Sequence, residues 1–290
     1  MAEPWRAVRT ARSWPTPVAV RRGGPGARWW GMGLLALVAL VLVLGSAGGD
    51  AGADFARAWW PPSADHPFGT DHAGRDLLAR TLAGTRVSLV VGVAAAATVG
   101  LLGVVVGGVA GLAAHRRGSW VDAALMRLVD AVNALPHLVL GIVIVAMLGP
   151  SLSSVVLSVA LTHWTTTARI VRAEVLALSG AGFVEAAIGA GAGRWWVLTR
   201  HLVGHVTGRV LLAMVLMVPH AIMHESALSF LGLGLPDDQA SLGTIIEQSR
   251  TAVLAGHWWP AVLPGLVLVL LSIAVFVLAE RLRPASWGRS

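Results

Sequence analysis

The chain contains no cysteine, which removes disulfides and thiolate metal sites and leaves the redox compartment undetermined. Lysine is missing too, since all 22 basic residues are arginine. A phosphate-cradling P-loop needs a lysine to reach the β- and γ-phosphates, so any ATP involved is bound by another polypeptide. Charge of either sign is scarce. Only 13% of the 290 residues are charged, 56% are hydrophobic and the mean hydropathy is +0.71, whereas an ordinary soluble domain carries roughly 25% charged residues. That balance points to a lipid environment. The net charge of +7 does not indicate nucleic acid, because the arginines lie in short clusters between apolar runs and form no continuous basic face.

About 20 consecutive apolar residues cross a bilayer core as a helix, in which every backbone group is paired internally. By that rule six spans are expected. The first, Trp29 to Gly48, follows a basic arm over residues 1–28 that carries Arg6, Arg9, Arg12, Arg21, Arg22 and Arg28. It exceeds the ~7–15 apolar residues of a cleaved signal peptide and is expected to be an uncut anchor. The twin arginine and the small residues of Gly45 to Ala53 are the features that a cleaved leader would share. A polar segment over 49–86 follows. The remaining spans run from Val87 to Ala114, Ala123 to Leu148, Leu152 to Ile170, Val206 to Leu235 and Trp258 to Leu278, forming a five-helix core over 87–280 before a short tail, 281–290. The expected fold class is an all-α integral membrane protein with six transmembrane helices.

Short loops rich in arginine stay in the cytoplasm. With six spans, the amino-terminal arm, the turn His115 to Gly118, the connection 171–205 with Arg172, Arg194 and Arg200, and the tail with Arg281 and Arg283 share one side. Both termini are therefore expected in the cytoplasm of a multi-pass cell-membrane protein. The other side holds Asp50, Asp54, Asp65, Asp71, Asp76, Asp237, Asp238 and Glu247, together with Arg57, Arg75, Arg80, Arg86 and Arg250. Glycines recur at Gly103, Gly107 and Gly111, a spacing that puts them on one helix face and lets a neighbouring helix approach.

The connection contains VEAAIGAGAGRWW, Val184 to Trp196. Ala186 and Ala187 beside Glu185 offer a helical surface almost free of side chains, and Gly189, Gly191 and Gly193 then each disfavour helix by roughly 1 kcal/mol relative to alanine. Arg194 to Leu202 resumes at helical spacing. Helix, glycine turn and helix at the cytoplasmic surface can seat in a groove on a partner protein. A helix lying at the headgroups with its tryptophans buried there fits the same composition.

Glu185, Ala186, Ala187 and, after three residues, Gly191 resemble the E-A-A-x-x-x-G coupling loop of ABC importer permeases. His66 to Leu89 resembles the H-P-x-G-T-D-x-x-G-R-D-x-x-x-R segment of the dipeptide, oligopeptide and nickel permeases, and Asp122 to Pro150 is similar to that group's third span. Glu225 to Pro236 resembles its E-x-x-L-S-F-L-G-L-G element, and Trp258 to Arg283 its last span. The order matches over Asp65 to Arg283, and the second permease of the pair is the closer type. Two positions depart: Val203-Gly204 stands where the family usually has Leu-Pro, and Ala279 where it usually has glycine.

The resemblance implies a transport subunit, not an enzyme. It would form half of a translocation pathway for short peptides, with nickel or a metal chelate as the alternative cargo. The implied partners are a second permease, two ATP-binding subunits that use ATP and Mg, an extracytoplasmic solute-binding protein and the bilayer. No cofactor is implied in this chain.

His220 and His224 are four apart and stack on one helix face, with Glu225 one residue on. Two imidazoles and a carboxylate suit nickel, zinc or copper, and ionisable groups at membrane depth suggest a pathway or a paired network. A plain hydrogen bond to the carbonyl that Pro219 frees is the simpler role. His201 and His205, also four apart, lie in the connection, where interfacial hydrogen bonding suffices. An intramembrane hydrolase would need H-E-x-x-H or another triad, and no second histidine follows His224-Glu225 at that spacing. An ion-driven secondary transporter would often show inverted repeats, and none is apparent.

Overall fold

The structure, a computed structural model, describes residues 52–114, 119–179, 182–193, 196, 203–236 and 239–282. The basic arm, the first apolar run, the turn His115 to Gly118, Arg194, Arg200, His201, Asp237, Asp238 and the tail lie outside them. The described residues are helical: α1 (Leu77–Ala113), α2 (Trp120–Asn133), α3 (His137–Leu148), α4 (Leu152–Ser179), α5 (Gly182–Gly189), α6 (Val203–Phe230), α7 (Leu242–Gln248), α8 (Arg250–Leu254) and α9 (Trp259–Leu282). Among them no strand forms, and an isolated antiparallel bridge joins Thr70 and Asp76.

α1 is the hub, packed on α4 and α6 and touching α2, α7 and α9. Its glycines make that possible. A Cβ added to Gly103 would lie 2.4 Å from Thr167 Cβ, one on Gly107 2.3 Å from Ala168 O, and one on Gly111 2.7 Å from Val175 Cβ, all on α4. A second face does the same for α6, where a Cβ added to Gly92 would lie 2.8 Å from Ile222 Cγ1 and one on Gly100 2.5 Å from Met214 Sδ. Between lipid-facing helices there is no hydrophobic drive to associate, so this close backbone approach supplies the van der Waals contact that holds them.

α1 begins at Leu77, before the apolar run that starts at Val87. Asp76 caps it by accepting from Ala79 N at 2.8 Å. Thr81 and Thr85 then return their hydroxyls to Leu77 O and Thr81 O at 2.6 and 2.7 Å, so the polar residues are satisfied within the helix.

The third expected span is broken into α2 and α3, which meet at 90°. Pro136 stands just before α3, where it lacks an N–H and disfavours helix at Leu135. α2 is fastened along α4 by polar contacts. Thr165 Oγ1 donates to Asn133 Oδ1 at 2.7 Å, Arg169 to Asp130 at 2.5 Å, and Arg172 to both carboxylate oxygens of Asp122 at 2.6 and 2.7 Å. Those residues also explain α4: at 28 residues it is long enough to cross a bilayer, but its serines, threonines and arginines serve α2 and its own carbonyls. Among the described residues three helices are both long and apolar enough to cross, or four if the bent α2–α3 pair counts as one broken span. α6 stops at Phe230, short of Leu235, where Gly232 N donates to Ser229 O and Leu233 N to Leu228 O, both at 2.9 Å, in a Schellman closure.

Gly107→Val is expected to lower the thermal stability of the detergent-solubilised chain, because overpacking of this kind costs about 1–3 kcal/mol. Gly265→Ala on α9, where an added Cβ meets nothing within 4 Å, is the control and should leave the melting temperature unchanged or raise it, since alanine favours helix over glycine. Equal melting temperatures for both variants would contradict the role given to the α1 glycines.

Candidate functional site

Three groups of polar or side-chain-poor residues stand out from the apolar bundle. At one end, α5 carries Glu185, Ala186 and Ala187 within an eight-residue helix. Val184 anchors it, buried to 2% among Val171, Val175, Val206 and Val210, with Ala187 and Ala192 packed against the same cluster. Ala186, Ile188 and Ala190 turn outward and are exposed. Ala192 N donates to Ala187 O at 3.0 Å and Gly191 N to Ile188 O at 2.9 Å, closing the helix with Gly191 at φ +91°. A residue with a side chain is strained at that φ, so Gly191 is what lets the chain reverse there. Ala187, Ala190, Gly191, Ala192, Gly193 and Trp196 line a hollow beside it. The expected helix and glycine turn are thus adjoining, with one face held and one offered, and Arg209 and Glu174 form an ion pair between α6 and α4.

Midway along the bundle, the residues expected to act together divide. His220 and His224 stay together on α6, their ring centroids 4.8 Å apart. Glu225 turns away from them into full burial, where it accepts from Ser88 Oγ of α1 at 3.0 Å, Ser229 Oγ at 2.7 Å and Ser241 Oγ at 2.7 Å. Ser88 in turn accepts from Leu242 N at 3.2 Å, and Ser241 opens α7 with a capping box. One carboxylate therefore ties α1, α6 and the start of α7. In its place the histidines gain His163 of α4, whose Nε2 lies 2.8 Å from His220 Nε2, and His137 at the start of α3, with ring centroids 4.8 Å apart from His163. Sequence reasoning missed both because each is a lone histidine on a different element. The available signal was depth, since each stands a similar number of residues from the Gly149-Pro150 break.

At the far end, the residues from His66 to Asp76 fold into a knot over the start of α1. Asp71, 3% exposed, accepts from Ala73 N, Arg75 N and Arg75 Nε at 2.8 to 2.9 Å and from Arg80 Nη1 at 2.5 Å, while Arg80 Nη2 donates to Gln248 Oε1 at 3.1 Å. His66 Nδ1 bonds Asp76 Oδ2 at 2.8 Å, steadying the cap of α1. Gly74, at φ +73°, touches the backbone so closely that a Cβ would sit 1.8 Å from Asp54 O. His72 lies beside Trp59, with ring centroids 6.1 Å apart. Burial of Asp71 opposes its charge, but the backbone donors of Arg75 and Ala73 and the guanidinium groups of Arg80 and Arg75 outweigh it, holding the carboxyl below its ordinary range.

Comparison with known proteins places the chain in a family. The family profile described as "Binding-protein-dependent transport system inner membrane component" matches residues 103–287. The dipeptide transport system permease protein DppC of Bacillus subtilis (strain 168) is 39% identical over 225 residues, covering 78% of this chain and 69% of its own. A putative peptide transport system permease protein of Brucella suis is 38% identical over 258 residues, covering 87% and 84% respectively. Among solved structures, that described as "Crystal structure of an amino acid ABC transporter with histidines" aligns with a TM-score of 0.51 at 15% identity, covering 69% of this chain and 91% of its own, a likeness of fold.

Two outcomes follow from this geometry. Glu225→Ala leaves Ser88, Ser229 and Ser241 without their shared acceptor, each loss costing about 1–3 kcal/mol, so the variant should melt well below wild type in a thermal scan, and an unchanged midpoint would contradict the tie. A carboxyl with a depressed folded-state pKa stabilises above the value of the free group, about 3.9, and that contribution is lost as pH falls through the depressed value. Protection of the amides over residues 54–76, relative to the intrinsic exchange rate at each pH, should therefore hold down to about pH 4 and fall below it, whereas Asp71→Asn should be less protected already at neutral pH. Protection in wild type that is indifferent to acid would contradict the role of Asp71. The chain belongs to the family of binding-protein-dependent transport system inner membrane components.

Proposed function

We propose that this chain is one of two permease halves of an ATP-driven importer of short peptides, with α5 as the contact to the ATP-binding subunits. The observation that carries the proposal is the exposed face of α5, where Ala186 and Ile188 point outward while Val184 fixes the helix to α4 and α6. A helix so poor in side chains can seat closely in a groove, and its anchorage to long helices lets a displacement there be felt along the bundle. Peptide as cargo is supported by the names of relatives such as the Bacillus subtilis and Brucella suis proteins.

In this reading the chain crosses the membrane six times with both termini in the cytoplasm, and the knot over His66 to Asp76 faces outward, toward a solute-binding protein. Closure of the ATP-binding subunits around ATP and Mg moves α5, and the pathway between the two permeases changes the side to which it opens. This chain supplies no bond chemistry. The missing lysine fits that division of labour, because the nucleotide sites must lie on other chains.

The test is Glu185→Arg in the assembled transporter, reconstituted with its binding protein. Peptide uptake should fall about tenfold or more, the scale of a coupling free energy of about 1–3 kcal/mol, while the complex still assembles and hydrolyses ATP. Unchanged uptake would remove α5 from the coupling path, and uptake that persists without the ATP-binding subunits would overturn the whole reading.

A further inference from the structure

Imidazoles from three helices meet at one depth. His163 of α4 and His220 and His224 of α6 each bring a ring nitrogen within 4.8 Å of the other two. Their ring centroids are 4.7 Å apart for His163 and His220 and 4.6 Å for His163 and His224, and His137 of α3 meets His163 edge-on at 4.8 Å. Neutral imidazoles gain only a hydrogen bond from such crowding, and protonated ones repel. A cation shared among the lone pairs is the chemistry that rewards it.

The hydrogen bonds around His163 fix which of its nitrogens is available. Val159 O can only accept, so the ring proton belongs on Nδ1, 3.1 Å away. Thr162 Oγ1 lies 2.6 Å from the same nitrogen and gives its own proton to Ser158 O at 2.8 Å, so it too accepts from Nδ1. Nε2 of His163 is left as a lone pair aimed at His220 Nε2, 2.8 Å away. A histidine whose far nitrogen is tied to a carbonyl is oriented as metal-ligating imidazoles are.

Depth adds a second, independent observation. At 1.5 Å per residue, His163 lies about 16 Å along α4 from Leu152 and His220 about 15 Å along α6 from Phe230, and His137 meets His163 at that level. Each distance is about half of the ~30 Å hydrocarbon thickness. The 90° bend between α2 and α3 falls at that level, immediately before His137. Broken helices at mid-membrane are where polar ligands are held in other transport folds. His163 is buried, His224 half-buried and His220 exposed.

We infer that His163, His220 and His224, with His137 as a fourth donor, form a site for one divalent late first-row transition ion such as Zn²⁺ or Ni²⁺, which staples α4 to α6 midway through the membrane. Nitrogen ligands at about 2.0–2.1 Å from zinc stand about 3.4 Å apart in a tetrahedral site. The spacings here, from 2.8 Å to at most 4.8 Å, bracket that value, so rotation of the rings suffices to close them on an ion. The site rests on the geometry of these helices and is independent of which solute is carried.

The test uses the full chain in lipid nanodiscs, stripped with a chelator, loaded with Zn²⁺ or Ni²⁺, desalted and assayed for retained metal and X-ray absorption fine structure. Retention of about one ion per chain with three or four imidazole nitrogens around it is expected. H163Q/H224Q should lose the ion, and H72Q/H257Q, altered outside the cluster, should keep it. Absence of retained metal, or equal retention by H163Q/H224Q, overturns the site. Should H163Q/H224Q fail to fold, the wild-type spectrum decides, since fewer than three imidazole ligands also overturns it. Peptide uptake measured with chelator present separates this inference from the transport reading: lost metal binding with intact uptake sinks the site alone, and retained metal without uptake sinks the transport reading alone.

Discussion

The whole bundle depends on how closely α4 and α6 can approach α1. In a membrane the lipid tails are as apolar as the side chains, so helices gain association energy from contact and hydrogen bonding and not from escaping water. Gly103, Gly107 and Gly111 supply that contact on one face of α1, and Gly92 and Gly100 on another. Two consequences follow from two such faces on one helix. α4 and α6 are brought close enough on either side of α1 for His163 to meet His220, and their ends near Val171, Val175, Val206 and Val210 converge into the cluster that holds Val184 and hence α5.

Polar groups complete what close packing begins. Glu225 gathers hydroxyls from α1, α6 and the cap of α7, so an ionisable group that would be costly at membrane depth becomes a tie between helices. Asp71 does similar work outside the span, where Arg75 and Arg80 close the knot over the start of α1. The H-P-F-G-T-D-H-A-G-R-D stretch is thus mostly architectural. Its acids cap and clamp, and its glycines permit backbone contact.

Much of this was legible in the sequence, for reasons that are local. Apolar runs mark helices wherever a bilayer demands internal backbone pairing, glycines four apart mark a close face, and Glu185-Ala186-Ala187 before Gly191 marks a short helix with a turn. What could not be read was set by tertiary partners. Thr81 and Thr85 look like loop residues until their hydroxyls return to the helix, the run from Ala123 to Leu148 looks continuous until Pro136 bends it, and Glu225 looks like a partner of His224 until Ser88 and Ser241 claim it. His163 and His137 escaped because a lone histidine carries no spacing signal, and only the packing of α3, α4 and α6 makes them a cluster.

The central claim is that α5 is where movement in the ATP-binding subunits reaches the membrane helices. The chain has no cysteine, so a single one can be placed without background. With Ala186→Cys in the assembled transporter, a short thiol cross-linker should join this chain to an ATP-binding subunit, with a yield that changes when ATP is bound. A cysteine at Ala58, in the segment before the knot, should not join it. Failure of the Ala186 cysteine to cross-link in a complex that still imports peptide would contradict the claim.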